Sequence, residues 1–496
     1  MNKPNILILF TDMQRADTIS ALGNNIIKTP NLNKLVKEGT SFLNCYTPSP
    51  VCVSSRCSMM YGQYPSKTGC NDNGPMKKDN NDSFVYYLKE YGYNTHSIGK
   101  CHFTPNYKEL RGFNTREIQE EIINNPDDDD YLKFLYSEGY NYIIDPHGVR
   151  GDMYYIPQLS QMPQSHHPTE WIGETTLKYI NKNKNKKPWF LFSSFIHPHP
   201  PFSLPSPWYK LYKSYEMPLP ILPTDYKSLW TNINRIQNRY KFRDNGIDIN
   251  LIRLIKSYYY GCISFVDYQI GKIINCLKHT AQLENTLIIF TSDHGELLGD
   301  YNCFGKRSMH SSSSKIPMII RYPKEVPVNN LINTPVSLVD IASTCLDIIN
   351  QNSSSYNLDG ESLIKISKEE ISRKYVFSQW NCNQNAQYMI ASKDSIYFYS
   401  AADQKEFYFD HKIDPLETRN KAYTIGSSKS KTNKMRNKLF EFLVKNNVEN
   451  AFEIKNKSFV WKNHYVNTKF NDPDEGLIIQ DQPWVDFGIK GYSEDP

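Results

Sequence analysis

Asn5-Ile6-Leu7-Ile8-Leu9-Phe10-Thr11-Asp12, near the start of the chain, sets five consecutive large apolar side chains directly before a hydroxyl and a carboxylate. A run this short and apolar on both faces predicts a strand buried from both sides, as in parallel sheets covered by helices. Trp189 to Phe195, Thr286 to Phe290 and Pro317 to Tyr322 repeat the pattern, and Asn94 to Ile98 is a further candidate strand. Helical spacing falls between them. Leu32, Leu35 and Val36 share a face of a helix entered at Thr29-Pro30, and Ile255, Tyr259, Ile263, Val266, Ile270, Ile273 and Ile274 mark one from about Leu251 to Leu277. Such alternation predicts an α/β protein with a large, mostly parallel central sheet flanked by helices.

Beyond Ser367 the pattern changes. Val376 to Trp380, Tyr388 to Ala391, Ser395 to Tyr399 and Glu406 to Asp410 read as successive antiparallel strands, closed by a helix around Met435 to Val444. We therefore expect a catalytic unit over 1–366 and a smaller C-terminal α+β subdomain with a tail over 367–496. The aromatic stretch Pro483 to Gly488 in that tail is a candidate packing or homo-oligomer contact. Thr104 to Pro168 lacks clear periodicity and carries an acidic run at Asp127 to Asp130, which suits a functional rim.

Fifty-seven basic against 52 acidic residues leave a net charge of +5, scattered along the chain, so no nucleic-acid footprint is expected. No apolar run approaches membrane-spanning length. The start reads as a strand rather than a signal peptide, and ten cysteines without a C-x-x-C pair suit reduced thiols. Both features give the expectation of a cytoplasmic protein.

Asp12 and Asp293-His294 follow their strands directly, at the carboxyl ends where open α/β sheets gather their sites. Two carboxylates and an imidazole there suit a divalent cation. Gly99-Lys100-Cys101-His102 and His197-Pro198-His199 follow two more strands, and Lys306 lies a short loop after His294. Cations and imidazoles beside carboxylates match the needs of an oxyanion ester: positive charge for its oxygens and a proton for its leaving group. Cys52, in Pro50-Val51-Cys52-Val53-Ser54-Ser55-Arg56, is by itself open to reading as nucleophile, metal ligand or small buried residue.

Taken in order, these motifs resemble the type I sulfatases of the alkaline phosphatase superfamily. So do Thr29-Pro30-Asn31-Leu32, Gly305-Lys306, Val336 to Ile341, Asp359 to Leu363 and Asp414-Pro415-Leu416-Glu417. The resemblance runs over most of the chain and implies an alkaline phosphatase-like fold and a sulfatase. It implies that a formylglycine-generating enzyme oxidises Cys52 to formylglycine, whose hydrate attacks the sulfur of a sulfate ester. It further implies a metal held by Asp12, residue 52, Asp293 and His294, with calcium first and Mn2+ or Mg2+ as alternatives. Arg56 would steady residue 52, Lys100, His199 and Lys306 would contact the sulfate group, and His102 and His199 would handle the hydrate proton and the leaving-group oxygen.

Three positions depart from the family pattern. Ser54 stands where the maturation signal has Pro or Ala, Met13 follows the first metal aspartate where an acidic or amide residue is common, and His294 replaces the usual Asn. Gln14 or a water is the expected substitute for the oxygen missing at Met13. Two other readings stand beside the sulfatase: a phosphonate monoester or phosphodiester hydrolase on the same scaffold, and a non-catalytic binder with unmodified Cys52. The expected ligand is a small-molecule or oligosaccharide sulfate ester, with Tyr154, Tyr155, His166 and His167 as candidate pocket walls.

Overall fold

The computed structural model describes residues 3–122, 125–242, 248–351 and 355–464. Eight strands form the central sheet: β1 (Asn5–Thr11), β2 (Thr40–Phe42), β3 (Asn94–Gly99), β4 (Thr115–Glu117), β5 (Trp189–Ser194), β6 (Thr286–Ser292), β7 (Met318–Arg321) and β8 (Asn330–Ile332). Their order is β8-β2-β7-β6-β1-β5-β3-β4, with β1 parallel to β5 and β6 on either side. Only β7 runs against its neighbours. The sheet is thus mostly parallel, as the continuous apolar runs predict.

Alternate side chains of β1 enter two different cores. Ile6, Ile8 and Phe10 belong to one apolar cluster, Leu7 and Leu9 to another, all without exposed surface. Covering helices include α1 (Pro30–Glu38), α2 (Cys52–Tyr61), α3 (Pro168–Lys182) and α4 (Ile249–His279). The long helix is N-capped by Asp248, whose side chain accepts from the Asn250 and Leu251 amides.

A second sheet, β9 (Val376–Trp380), β10 (Gln387–Ala391), β11 (Ser395–Ser400) and β12 (Lys405–Asp410), is an antiparallel meander. Helix α5 (Ser427–Lys445) covers it and begins two turns earlier than its apolar residues indicate, because its first turns are polar and exposed. The stretch 483–488 lies outside the described residues. Among those described, all ten cysteines are free and no helix is long and apolar enough to cross a membrane.

The region from Thr104 to Pro168 is better organised than its sequence suggests. Its acidic run caps a short helix, Asp130–Ser137: Asp129 Oδ1 accepts from the Leu132 amide at 2.9 Å, and Oδ2 accepts from the Glu120 amide at 3.0 Å. One buried carboxylate therefore fixes both the helix and the backbone just past β4.

Candidate active site

Register brings the chemistry together. Thr11 lies beside Ser292 in the β1–β6 ladder, so Asp12 and Asp293 leave the sheet side by side. Gly99 pairs with Ser194, which sends Lys100 and the segment to His199 over the same edge. A Cβ at Gly99, where φ is +87°, would sit 2.1 Å from the Ser194 carbonyl oxygen, so the close approach needs glycine.

Helix α2 meets this edge with its N-terminus, where Cys52 is the first residue. Arg56, one turn on and buried, spans both carboxylates: Nε donates to Asp293 Oδ2 and Nη2 to Asp12 Oδ2, each at 3.0 Å. Its Nη1 donates to the Lys100 carbonyl at 2.6 Å and to Ser194 Oγ at 3.1 Å, and its plane lies 4.9 Å from the Phe10 ring centre. Neither carboxylate is left uncompensated, which a charge buried this deeply requires.

Four acceptor atoms converge beside Arg56. Asp12, Cys52, Asp293 and His294 each present one, all within 4.8 Å of one another. His294 Nδ1 is bonded to the Gly295 carbonyl at 2.9 Å, so it carries the proton and Nε2 offers a lone pair, 3.6 Å from Asp293 Oδ1 and 3.2 Å from Cys52 Sγ. Lone pairs pointed at one another fit a bound cation. Gln14 does not join them: its Oε1 accepts from Thr11 Oγ1 and its Nε2 donates to Thr18 Oγ1, which corrects the expectation that it replaces the missing oxygen. Met13 turns its side chain into the apolar core, donates its amide to Asp293 Oδ1 at 3.0 Å and accepts from the Tyr259 hydroxyl at its carbonyl.

The cationic side is equally ordered. Lys306 Nζ lies 2.7 Å from Cys52 Sγ and 2.9 Å from His199 Nε2, and Lys100 Nζ lies 2.6 Å from Asp12 Oδ2. Burial alone would push the Cys52 thiol up, yet Lys306, Lys100 and His294 together hold it well below the usual thiol range. Burial and Cys52 also work against the Asp12 carboxylate, but Lys100, His199 and Arg56 hold its pKa below the ordinary range. Asp293 is pushed up, by burial first and by Asp12 next. Burial and the neighbouring Lys306 lower the His199 pKa to about 3. Since His199 Nδ1 bonds to the Pro200 carbonyl at 2.8 Å, the resting ring turns an acceptor nitrogen toward Lys306.

Asp12, Lys100, His102, His199, Asp293 and His294 meet here from the ends of strands, joined by Cys52 and Arg56 from helix α2 and by Lys306 from the loop after His294. His102 stands close enough to help hold the Cys52 thiolate, with its Nδ1 buried and unpaired among the described residues. Of the candidate walls Tyr154 reaches the site, 3.4 Å from His199 Nε2. Tyr155 instead bonds to Glu296, His167 to the Ser203 carbonyl, and His166 stacks on Phe134.

Sequence reasoning missed three carboxylates. Glu120 Oε1 accepts the Cys101 and His102 amides at 2.9 and 2.8 Å. Glu121 ion-pairs with Lys100 and reaches Arg150 at 3.2 Å and His199 Nδ1 at 3.5 Å. Glu296 accepts from Tyr155 and from the Leu298 and Gly305 amides, bracing the turn that delivers Lys306.

Comparison with known proteins agrees with this geometry. Residues 4–351 match the family model described as Sulfatase, and residues 299–468 match that of N-sulphoglucosamine sulphohydrolase, C-terminal. An arylsulfatase of Clostridium perfringens is 28% identical over 448 residues, which cover 84% of this chain and 90% of that one. A choline-sulfatase of Rhizobium meliloti is 26% identical over 442 residues, with 85% and 82% covered. The solved phosphonate monoester hydrolase of Agrobacterium radiobacter shares the fold at a TM-score of 0.79, with 22% identity over 93% of this chain and 100% of that chain.

Proposed function

Because the chain belongs to the sulfatase family of sulfuric ester hydrolases, we propose that it cleaves a sulfated carbohydrate or small organic sulfate, using formylglycine made from Cys52 and a divalent cation. The observation that carries this reading is the convergence of Asp12, Asp293, His294 and residue 52 on one point, with Lys100 and Lys306 beside it. A cation held by those four, calcium first and Mn2+ or Mg2+ as alternatives, would supply Lewis-acid polarisation of an oxygen at residue 52. Formylglycine would supply a hydrated aldehyde as the nucleophile.

This chain's own residues account for the rest. Arg56 balances the two carboxylates and keeps their spacing when the site is empty of substrate. Lys100 and Lys306 neutralise sulfate oxygens in a site that excludes water, where fixed charge acts most strongly. Lys306 holds a proton directly against His199 Nε2, so this pair delivers one to the leaving-group oxygen. His102, which also contacts residue 52, takes the hydrate proton. In the same reading residues 1–366 form the catalytic unit and 367–496 the C-terminal one.

Mass spectrometry of the Cys52 peptide from the native host tests the proposal. The expected mass is that of the aldehyde or its hydrate, which would mean that maturation tolerates Ser54; an unmodified thiol overturns the mechanism and favours the binder. Chelation should abolish sulfate release and lower the melting temperature, with recovery strongest on adding Ca2+. Full activity after metal removal would refute the cation's role. Faster turnover of a phenylphosphonate monoester than of any sulfate ester would favour the phosphonate reading.

A further inference from the structure

The site is nearly closed to solvent. Lys306 is fully buried, Lys100 and His199 are 1% exposed, Glu121 is 7% and Arg150 is 12%. Glu121 touches both Lys100 and His199, so an ester with its sulfate group against Lys100 and Lys306 would set its alcohol beside Glu121 and Arg150. This wall is polar. Arg150 Nη2 lies 3.2 Å from Glu121 Oε2, with its guanidinium 5.6 Å from the Tyr154 ring centre. Just behind, Gln119, Arg150, His147, His197 and His199 line a recess of about 10 Å3, the room of a single water. Gln119 Nε2 donates to the Pro168 carbonyl at 3.2 Å, but its buried Oε1 has no partner among the described residues.

A buried acceptor without a donor and an ion pair in this wall are costly against a flat apolar group, which removes their water and returns no hydrogen bond. Neighbouring hydroxyl groups return both kinds: donors to Glu121 and Gln119, and oxygens for Arg150. We propose that Glu121, Arg150 and Gln119 form a leaving-group subsite that selects polyhydroxylated alcohols, so that sulfated sugars are preferred to aryl sulfates. The inference rests on the sulfatase reading of this site and extends it to the alcohol. Sites built to bond a hydroxyl discriminate strongly against analogues that lack it.

Binding to the Cys52→Ala protein with Ca2+ present, measured by calorimetry, tests it without turnover. The probes are the 6-sulfates of glucose, galactose and N-acetylglucosamine, with 4-nitrophenyl sulfate as the aryl case. We expect at least one sugar ester to bind about tenfold or more tighter than the aryl ester. Adding Arg150→Gln or Gln119→Leu should weaken that sugar by about tenfold and the aryl ester by less than about threefold. Arg150→Lys, which keeps the charge but loses the planar fork, should fall between. In matured enzyme the loss should appear in KM for the sugar ester. Equal or tighter aryl binding, or a parallel loss for both esters, overturns the subsite. If matured wild-type enzyme releases sulfate from none of these esters, it is the sulfatase reading that fails, while the binding preference is still read on the Cys52→Ala protein.

Discussion

Cys52→Ala enzyme is expected to lose turnover by about five to six orders of magnitude, the scale of removing a nucleophile outright. The side chain sits on the first turn of α2, touched by Lys306 at 2.7 Å and by His294 at 3.2 Å. Its loss also removes one of the four converging ligand atoms, so cation affinity should fall while Asp12, Asp293 and His294 retain part of it. The fold should survive, because alanine suits a helix N-terminal turn and removes little volume. Steady-state assay with metal titration checks both effects. Activity within tenfold of wild type would show that residue 52 is not the nucleophile.

The second large effect concerns stability and lies far from the chemistry. Glu417, in the loop after β12, is buried and bonds to His411 Nε2 at 2.8 Å, to His310 Nδ1 at 3.3 Å and to the Ser311 amide at 3.0 Å. It thereby ties the meander to the segment that follows Lys306. Burial would raise its pKa, but the bonds to His310 and His411 prevail and hold it below the ordinary value of 4.5. A depressed carboxyl contributes stability that is fully present above its unfolded value and is lost as pH falls through its folded one. Glu417→Gln should therefore cost about 1.5–3 kcal/mol at pH 7, the scale of hydrogen bonds to a charged group. The gap from wild type should shrink as pH drops below about 4.5. Thermal unfolding across pH 3 to 7 measures it, and a pH-independent gap would show that packing rather than charge is responsible.

Strand ends made much of the site readable. Asp12, His199 and Asp293 each follow an apolar run long enough to be recognised, Lys100 follows a more polar strand, and parallel packing sends all these ends to one edge. Glu120 and Glu121 follow β4 instead, whose Thr-Arg-Glu sequence is an edge strand with polar, partly exposed side chains and no hydrophobic pattern to reveal it. Asp129 was visible only as one acid in an acidic run. Its buried cap on the Leu132 amide and its hold on Glu120 are tertiary facts that local sequence does not carry. Gln14 illustrates the reverse error: its place beside Asp12 suggested a ligand, but Thr11 and Thr18 offered nearer partners. Tyr155 and His167 also lay in the right region and faced other neighbours.

The crossing of β1 between β5 and β6 has a consequence in time. Cys52 is made early, yet the strand that completes the middle of the sheet ends at Ser292, and Lys306 arrives about 250 residues after the cysteine. At about 5–20 residues per second, a ribosome needs roughly 10–50 s to cover that distance. During this interval the nascent chain lacks the partners that later enclose Cys52, so under the proposed mechanism a maturation enzyme would have its access before release rather than after it. Faster elongation would narrow that interval, and the yield of modified protein should then depend on translation speed as well as on the residues around Cys52.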